Sequence, residues 1–211
     1  VFADHMVVVE YHNGEWGTPK VMPYGPLHFS PAISALHYGQ AIFEGLKAFK
    51  NDEGEVNVFR PEKNAERFNK SAERMQMPAV PEWLFIDGMK QLIDIERGWI
   101  PNLPECSLYI RPFMIAIGSG VIAQPSTQYR FMIILSPAKA YYSGEVKVIV
   151  ADHYSRAANG GIGAAKAAGA AGCDRSAATP PVFRETAAAR QRQYGGRRAG
   201  TACHWRLGRG T

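Results

Sequence analysis

The sequence predicts an α+β fold, and three observations carry that prediction. Two hairpin signals lie in the first 60 residues, a proline-started amphipathic helix and a second helix follow, and strand-like runs come after them. At 211 residues the chain is long for one ordinary domain and short for two. Its 46% hydrophobic and 20% charged residues are those of a globular protein and exclude a disordered or collagen-like chain. Apolar runs such as Phe131–Leu135, and the strand-like Val146–Ala151 with Lys147 inside it, fall far short of the ~18 residues that span a bilayer, so no membrane partner is expected. Three scattered cysteines suit neither a disulfide scaffold nor a zinc site, which points to a reducing, cytoplasmic setting. The chain has no initiator Met, so its start reads as truncated.

The elements follow in order. Met6–Tyr11 is a β-rich run that meets His12-Asn13-Gly14-Glu15-Trp16, and Asn-Gly between strand-like flanks is a strong hairpin signal. Leu46–Lys50 and Val56–Arg60 flank Asn51-Asp52-Glu53-Gly54-Glu55 as a second hairpin. Pro61 opens a helix, where its missing N–H costs nothing, and Ala65, Phe68, Ala72 and Met75 form the apolar stripe. Pro78 and Pro81 end it, and Glu82 begins another helix reaching to about Trp99. Ser107–Phe113, Tyr129–Ser136 and Val146–Asp152 read as strands. The organisation expected is therefore a small α+β domain over 1–136, a linker over 137–145, the start of a larger domain over 146–169, and a tail over 170–211.

The charge supports that last boundary. Eight arginines, no lysine and two acids give residues 170–211 a net +6, while the other 169 residues carry −1. The tail is otherwise Ala, Gly, Thr and Pro without hydrophobic period, which reads as a disordered basic tail, a poorly patterned domain or an out-of-frame translation. Arginine density alone offers a distant alternative function, nucleic-acid binding, but no motif accompanies it.

Four segments carry possible chemistry. Gly160-Gly161-Ile162-Gly163-Ala164-Ala165-Lys166 is a flexible glycine run leading to a lysine. It lacks the Gly-Lys-[Ser/Thr] ending of a phosphate loop and the dinucleotide glycine fingerprint. A Schiff-base lysine in an apolar setting and a loop with a solvent-facing lysine both remain open. Arg67 precedes Phe68 on the helix stripe, either as a surface residue or as a guanidinium reaching a phosphate. In Ser107–Phe113, Tyr109, Arg111 and Phe113 share one strand face. That face suits a carboxylate ligand, whereas Pro112 argues for an edge strand with Arg111 in solvent. Tyr38 and Phe43, within His37-Tyr38-Gly39-Gln40-Ala41-Ile42-Phe43-Glu44-Gly45, fit a core equally well. No metal-ligand cluster stands out.

Taken in order, His37-Tyr38-Gly39-Gln40 with Phe43-Glu44-Gly45, Phe59-Arg60-Pro61 with Asn64 and Arg67, Tyr109-Ile110-Arg111-Pro112, Pro137-Ala138 with Tyr141-Tyr142, and Gly160-Gly161 with Gly163 and Lys166 closely resemble the branched-chain amino acid aminotransferases. The resemblance covers residues 1–169. It implies a fold-type IV enzyme, similar to D-amino acid aminotransferase, that depends on pyridoxal 5'-phosphate. The implied reaction moves the amino group of Leu, Ile or Val to 2-oxoglutarate, with glutamate and 2-oxo acids as the other small-molecule substrates. Lys166 then matches the lysine that holds the cofactor covalently and shuttles a proton, and Arg67 the arginine on the cofactor phosphate. Tyr38, Tyr109 and Arg111 match substrate-pocket residues, the arginine serving the glutamate side-chain carboxylate, and Phe43 matches part of the apolar wall. The loop 118–124 resembles one that reaches a partner's active site, which implies a homodimer. Another fold-type IV enzyme, a D-amino acid aminotransferase or an aminodeoxychorismate lyase, is the sister reading. After Gly169 the family's Gly-Asn-Tyr segment is replaced by Ala170-Ala171-Gly172-Cys173. The resemblance stops there, so an incomplete and inactive chain is expected.

Overall fold

The computed structural model describes residues 1–139 and 157–169. The elements expected from Asn13-Gly14 and Pro61 form as the local chemistry dictates. β1 (His5–His12) turns back into β2 (Glu15–Trp16) through Asn13 and Gly14, both at positive φ (53° and 87°), as a tight primed hairpin turn requires. β3 (Lys20–Pro23) continues the return alongside the first half of β1. Its register is one residue out of step with β2, so the two are segments of one strand with an extra residue between them. The short helix α1 (Ser34–Tyr38) ends at Gly39, which takes the left-handed conformation.

β4 (Ala41–Phe43), β5 (Leu46–Lys50) and β6 (Val56–Val58) precede helix α2 (Pro61–Arg74) and helix α3 (Glu82–Ile95). A single 3-10 turn at Arg97–Trp99 follows, so α3 stops short of the Trp99 end expected from the sequence. The buried Glu96 carboxylate at that point bonds His5 Nδ1 at 2.5 Å and receives the Asp4 N–H at 3.4 Å, tying the helix end to the start of β1. β7 (Ser107–Ala116) and β8 (Tyr129–Ala138) are long antiparallel partners in register from Ser107↔Ala138 to Ala116↔Tyr129.

Among the described residues, eight strands form one antiparallel sheet in the order β2-β1-β8-β7-β5-β6, with β3 on β1 and β4 on β7. α2 and α3 cover one face, and the core between them centres on Phe68, Phe85 and Phe131, whose ring centroids lie 5.6–5.9 Å apart. Leu108, Ile110, Met114 and Ala116 of β7 point into it, while Tyr109, Arg111 and Phe113 occupy the opposite face, the alternation expected of a strand. That opposite face is lined by Met6, Val8, Met132, Phe113, Ile115 and Ile134.

Two expectations change. β8 runs through Ala138, two residues beyond the Ser136 end expected for that strand, so Pro137 and Ala138 pair with Leu108 and Ser107. β7 is a central strand despite Pro112, for a reason given below. The remainder of the linker, the strand expected at 146–152 and the tail at 170–211 lie outside the described residues. Among those described, no helix is long and apolar enough to cross a membrane.

Glu10 and Arg130 are cross-strand partners on β1 and β8, and the guanidinium Nε donates to Glu10 Oε1 at 3.0 Å. His12 bonds the other carboxylate oxygen at 2.9 Å, and these partners, His12 foremost, hold the Glu10 carboxyl below its ordinary value. A carboxyl lowered on folding adds stability above its unfolded value and loses it as pH falls through the folded one. Glu10→Gln therefore removes part of the acid-side loss in melting temperature, measured between pH 6 and pH 3 and compared with the unsubstituted chain. Parallel pH curves for the two proteins would refute that role.

Candidate functional site

The site begins at an interruption in a strand. Phe43 pairs with Phe113 and Leu46 with Ile110, so β4 and β5 keep one register against β7 and are halves of a single strand opened at Glu44-Gly45. Opposite the opening stand Arg111 and Pro112. The Glu44 N–H donates to the Pro112 carbonyl at 2.8 Å, but proline has no N–H to return the bond. This one-sided pairing is how a proline sits inside a central strand: its missing donor falls where the neighbouring strand parts.

The opening directs two sets of side chains. On the face of Tyr109 and Arg111, the tyrosine hydroxyl accepts from Arg111 Nε at 3.1 Å and Nη2 at 2.8 Å. The guanidinium carbon lies 4.7 Å from the Phe43 ring centroid, within cation–π reach. Gly45 makes room for this arrangement, since a Cβ there would meet the Tyr109 hydroxyl at 2.5 Å.

Beside Gly45 the Glu44 side chain is fully buried, and a buried carboxylate needs partners. It has them: Arg67 donates from Nε at 2.6 Å and Nη2 at 2.8 Å, Asn64 Nδ2 at 2.8 Å, and the Gly45 N–H at 3.2 Å. The Arg67 side chain is 56% exposed, so the pair joins a sealed acid to a solvent-facing base. Hydrogen bonding to Glu44 raises the Arg67 pKa, outweighing its partial burial.

Lys166 reaches the same place from the far end of the described chain. Its N–H donates to Ser71 Oγ of α2 at 2.9 Å, and its carbonyl accepts from the Phe43 N–H at 3.0 Å. Ala167 bridges Ile42, and Ala165 and Ala167 are buried in the core. Lys166 Nζ stands 4.9 Å from the Phe43 centroid. Among the described residues no carboxylate forms an ion pair with it.

Two of the residues singled out in the sequence, Arg111 and Lys166, therefore meet at the ring of a third, Phe43, and Tyr109 joins them through Arg111. Arg67 joins through Glu44, the residue next to Phe43. Tyr38 stands apart, sharing no hydrogen bond or ring contact with the other five among the described residues. It lies at the end of α1, 43% exposed, with its hydroxyl donating to the Val121 carbonyl in the 118–124 loop. Glu44, Gly45, Asn64 and Ser71 were not assigned roles from the sequence. For Glu44 a signal existed, since one acid inside Ala41–Leu46 is a charge that must be paired if the segment is buried.

No family model matches the chain. Over 173 residues, 80% of this chain, it is 46% identical to the branched-chain-amino-acid transaminase 1 of Bacillus subtilis and covers 49% of that protein. Over the same length it is 50% identical to a probable branched-chain-amino-acid aminotransferase of Staphylococcus aureus, covering 48% of it. Among solved structures it is similar to the branched-chain amino acid aminotransferase of Escherichia coli, with a TM-score of 0.53 and 22% identity over 79% of this chain and 52% of that one. The fold is thus that of the fold-type IV aminotransferases. The chain spans about half the length of the curated relatives it matches.

The Glu44–Arg67 pair yields an ordered prediction. Glu44→Gln keeps the shape and loses the charge, which costs roughly 1.5–3 kcal/mol for charge-assisted bonds, toward the lower end because Arg67 is solvent-screened. Arg67→Ala costs more, because it leaves a buried charge short of its main partner. Urea unfolding of both variants checks the order, and a smaller loss for Arg67→Ala would contradict the buried ion pair.

Proposed function

We propose that this chain is the lysine-bearing part of a branched-chain amino acid transaminase, which moves the amino group of Leu, Ile or Val to 2-oxoglutarate with pyridoxal 5'-phosphate. One observation carries the reading: an amine and a guanidinium converge on one aromatic ring, the amine without a carboxylate partner among the described residues. The curated relatives named above support it.

The residues fit the cofactor's aldehyde end. Lys166 presents a half-buried amine fixed at both sides of its backbone and not committed to an ion pair. They also fit one phosphate contact, since Arg67 spends Nε and Nη2 on Glu44 while its side chain stays 56% exposed. Pyridoxal phosphate supplies an electron sink for negative charge developing at the substrate Cα. Lys166 Nζ would hold the cofactor at its aldehyde end and, once a substrate amine has taken its place there, would be free to carry the proton of the substrate Cα. Arg111 binds the side-chain carboxylate of glutamate and 2-oxoglutarate. Tyr109 occupies the Nε–Nη2 edge, which turns the other edge of the guanidinium toward a ligand. The Phe43 ring offers apolar surface to a branched side chain. Tyr38 holds the 118–124 loop, the element that reaches the partner subunit in the homodimer we propose for the whole protein.

The 211-residue chain is incubated with pyridoxal phosphate, reduced with borohydride, and mapped by mass spectrometry. The adduct forms at Lys166 in preference to the exposed Lys63 and Lys70, and Lys166→Ala abolishes the preferred site. Labelling of Lys63 and Lys70 at the same rate as Lys166 would sink the assignment.

A further inference from the structure

The lysine's position is set by its backbone, and the groups that set it lie on one face of α2. Arg67, Ser71 and Arg74 follow each other at spacings of four and three, which aligns them along a single helical stripe. Each makes a different contact: Arg67 holds Glu44, Ser71 receives the Lys166 N–H at 2.9 Å, and Arg74 Nη2 donates to the carbonyls of Gly160 and Gly161 at 3.4 and 3.3 Å. Ser71 is 1% exposed, and its hydroxyl donates in turn to the Arg67 carbonyl at 3.0 Å. A buried serine at mid-helix commonly spends its hydroxyl on the carbonyl four residues back alone. Here the oxygen also takes the amide of a residue 95 positions away.

We propose that Ser71 is the positioning residue for Lys166, its hydroxyl linking the lysine's N–H to the backbone of Arg67 so that α2 fixes both groups at once. This rests on the reading of Lys166 given above but makes its own demand on the structure. The glycine run 160–163 has little conformational preference of its own, so the geometry of the lysine must come from what it docks on. Phe43 N–H holds the carbonyl side and Ser71 holds the amide side. Without the hydroxyl, the lysine's own backbone keeps only the Phe43 bond, and its amide is no longer held to α2.

Amide hydrogen exchange on the 211-residue chain tests the clamp without any cofactor. Ser71→Ala, which removes one oxygen from a helix and leaves a good helix former, raises exchange at the Lys166 amide about tenfold, the effect of losing one such bond. The Phe68 and Phe85 amides stay as protected as before. Ser71→Thr, which retains a hydroxyl able to bond the carbonyl four residues back, restores the protection. With pyridoxal phosphate and borohydride, the Lys166 adduct falls in Ser71→Ala and returns in Ser71→Thr, while labelling of Lys63 does not change. Unchanged exchange at Lys166 in Ser71→Ala overturns the proposal. So does a uniform acceleration that includes Phe68 and Phe85, which makes Ser71 a core residue and nothing more. If the unsubstituted chain forms no preferred adduct, the cofactor reading fails, and the exchange measurement still decides the clamp.

Discussion

A proline carbonyl with no amide beside it sets the geometry of this molecule. Pro112 lies in the longest antiparallel pairing of the sheet and can accept from the next strand but cannot donate to it. The strand facing it therefore parts at Glu44-Gly45, and the whole constellation grows from that parting. Gly45 clears the space that the Tyr109 hydroxyl fills, and the hydroxyl holds Arg111 over Phe43. Glu44 is sealed inside with a charge that only a base from another element can satisfy, and α2 supplies it. Removing the interruption would give a regular ladder and leave none of these groups where they are.

Energetically, the ion pair is a matter of specificity more than of net stability. A carboxylate taken wholly out of water loses solvation that one half-exposed guanidinium only partly returns, and Asn64 and the Gly45 amide complete its shell. What the pair achieves is a fixed distance between a sheet and a helix. The aromatic cluster of Phe68, Phe85 and Phe131 supplies the attraction that holds α2 and α3 on the sheet. Phe68 follows Arg67 directly, so burial of one sets the aim of the other.

Elements with local causes were legible in the sequence. Asn13-Gly14 names its turn by needing two positive φ values, Pro61 names a helix start, and the alternation of β7 puts Tyr109 and Arg111 on one face whatever the strand's neighbours. The site residues were found through their order along the chain, which the resemblance supplied. What stayed hidden depends on partners far away in sequence. Pro112 suggested an edge strand because its missing donor is harmless there, and nothing local reveals a neighbouring strand that opens to suit it. The continuation of β8 through Pro137 and Ala138 is decided by pairing with Leu108 and Ser107, not by the turn-forming character of proline. α1, β3 and β4 are too short for any period to declare them.

Docking through the backbone explains how a glycine-rich approach can serve a residue that must be placed well. Ion pairs to the Lys166 amine would have to be broken for it to react, whereas bonds to its N–H and carbonyl leave the amine with only the face of the Phe43 ring beside it among the described residues. Burial of Ala165 and Ala167 on either side anchors the segment with two small groups that demand no particular rotamer. Larger neighbours would have to pack specifically beneath the sheet, coupling the lysine's position to core repacking at Ile42 and α2. Alanine carries neither side-chain entropy nor shape, so the strand edge and the helix hydroxyl alone decide where the amine begins. The glycines before it then follow whatever path that fixed point requires.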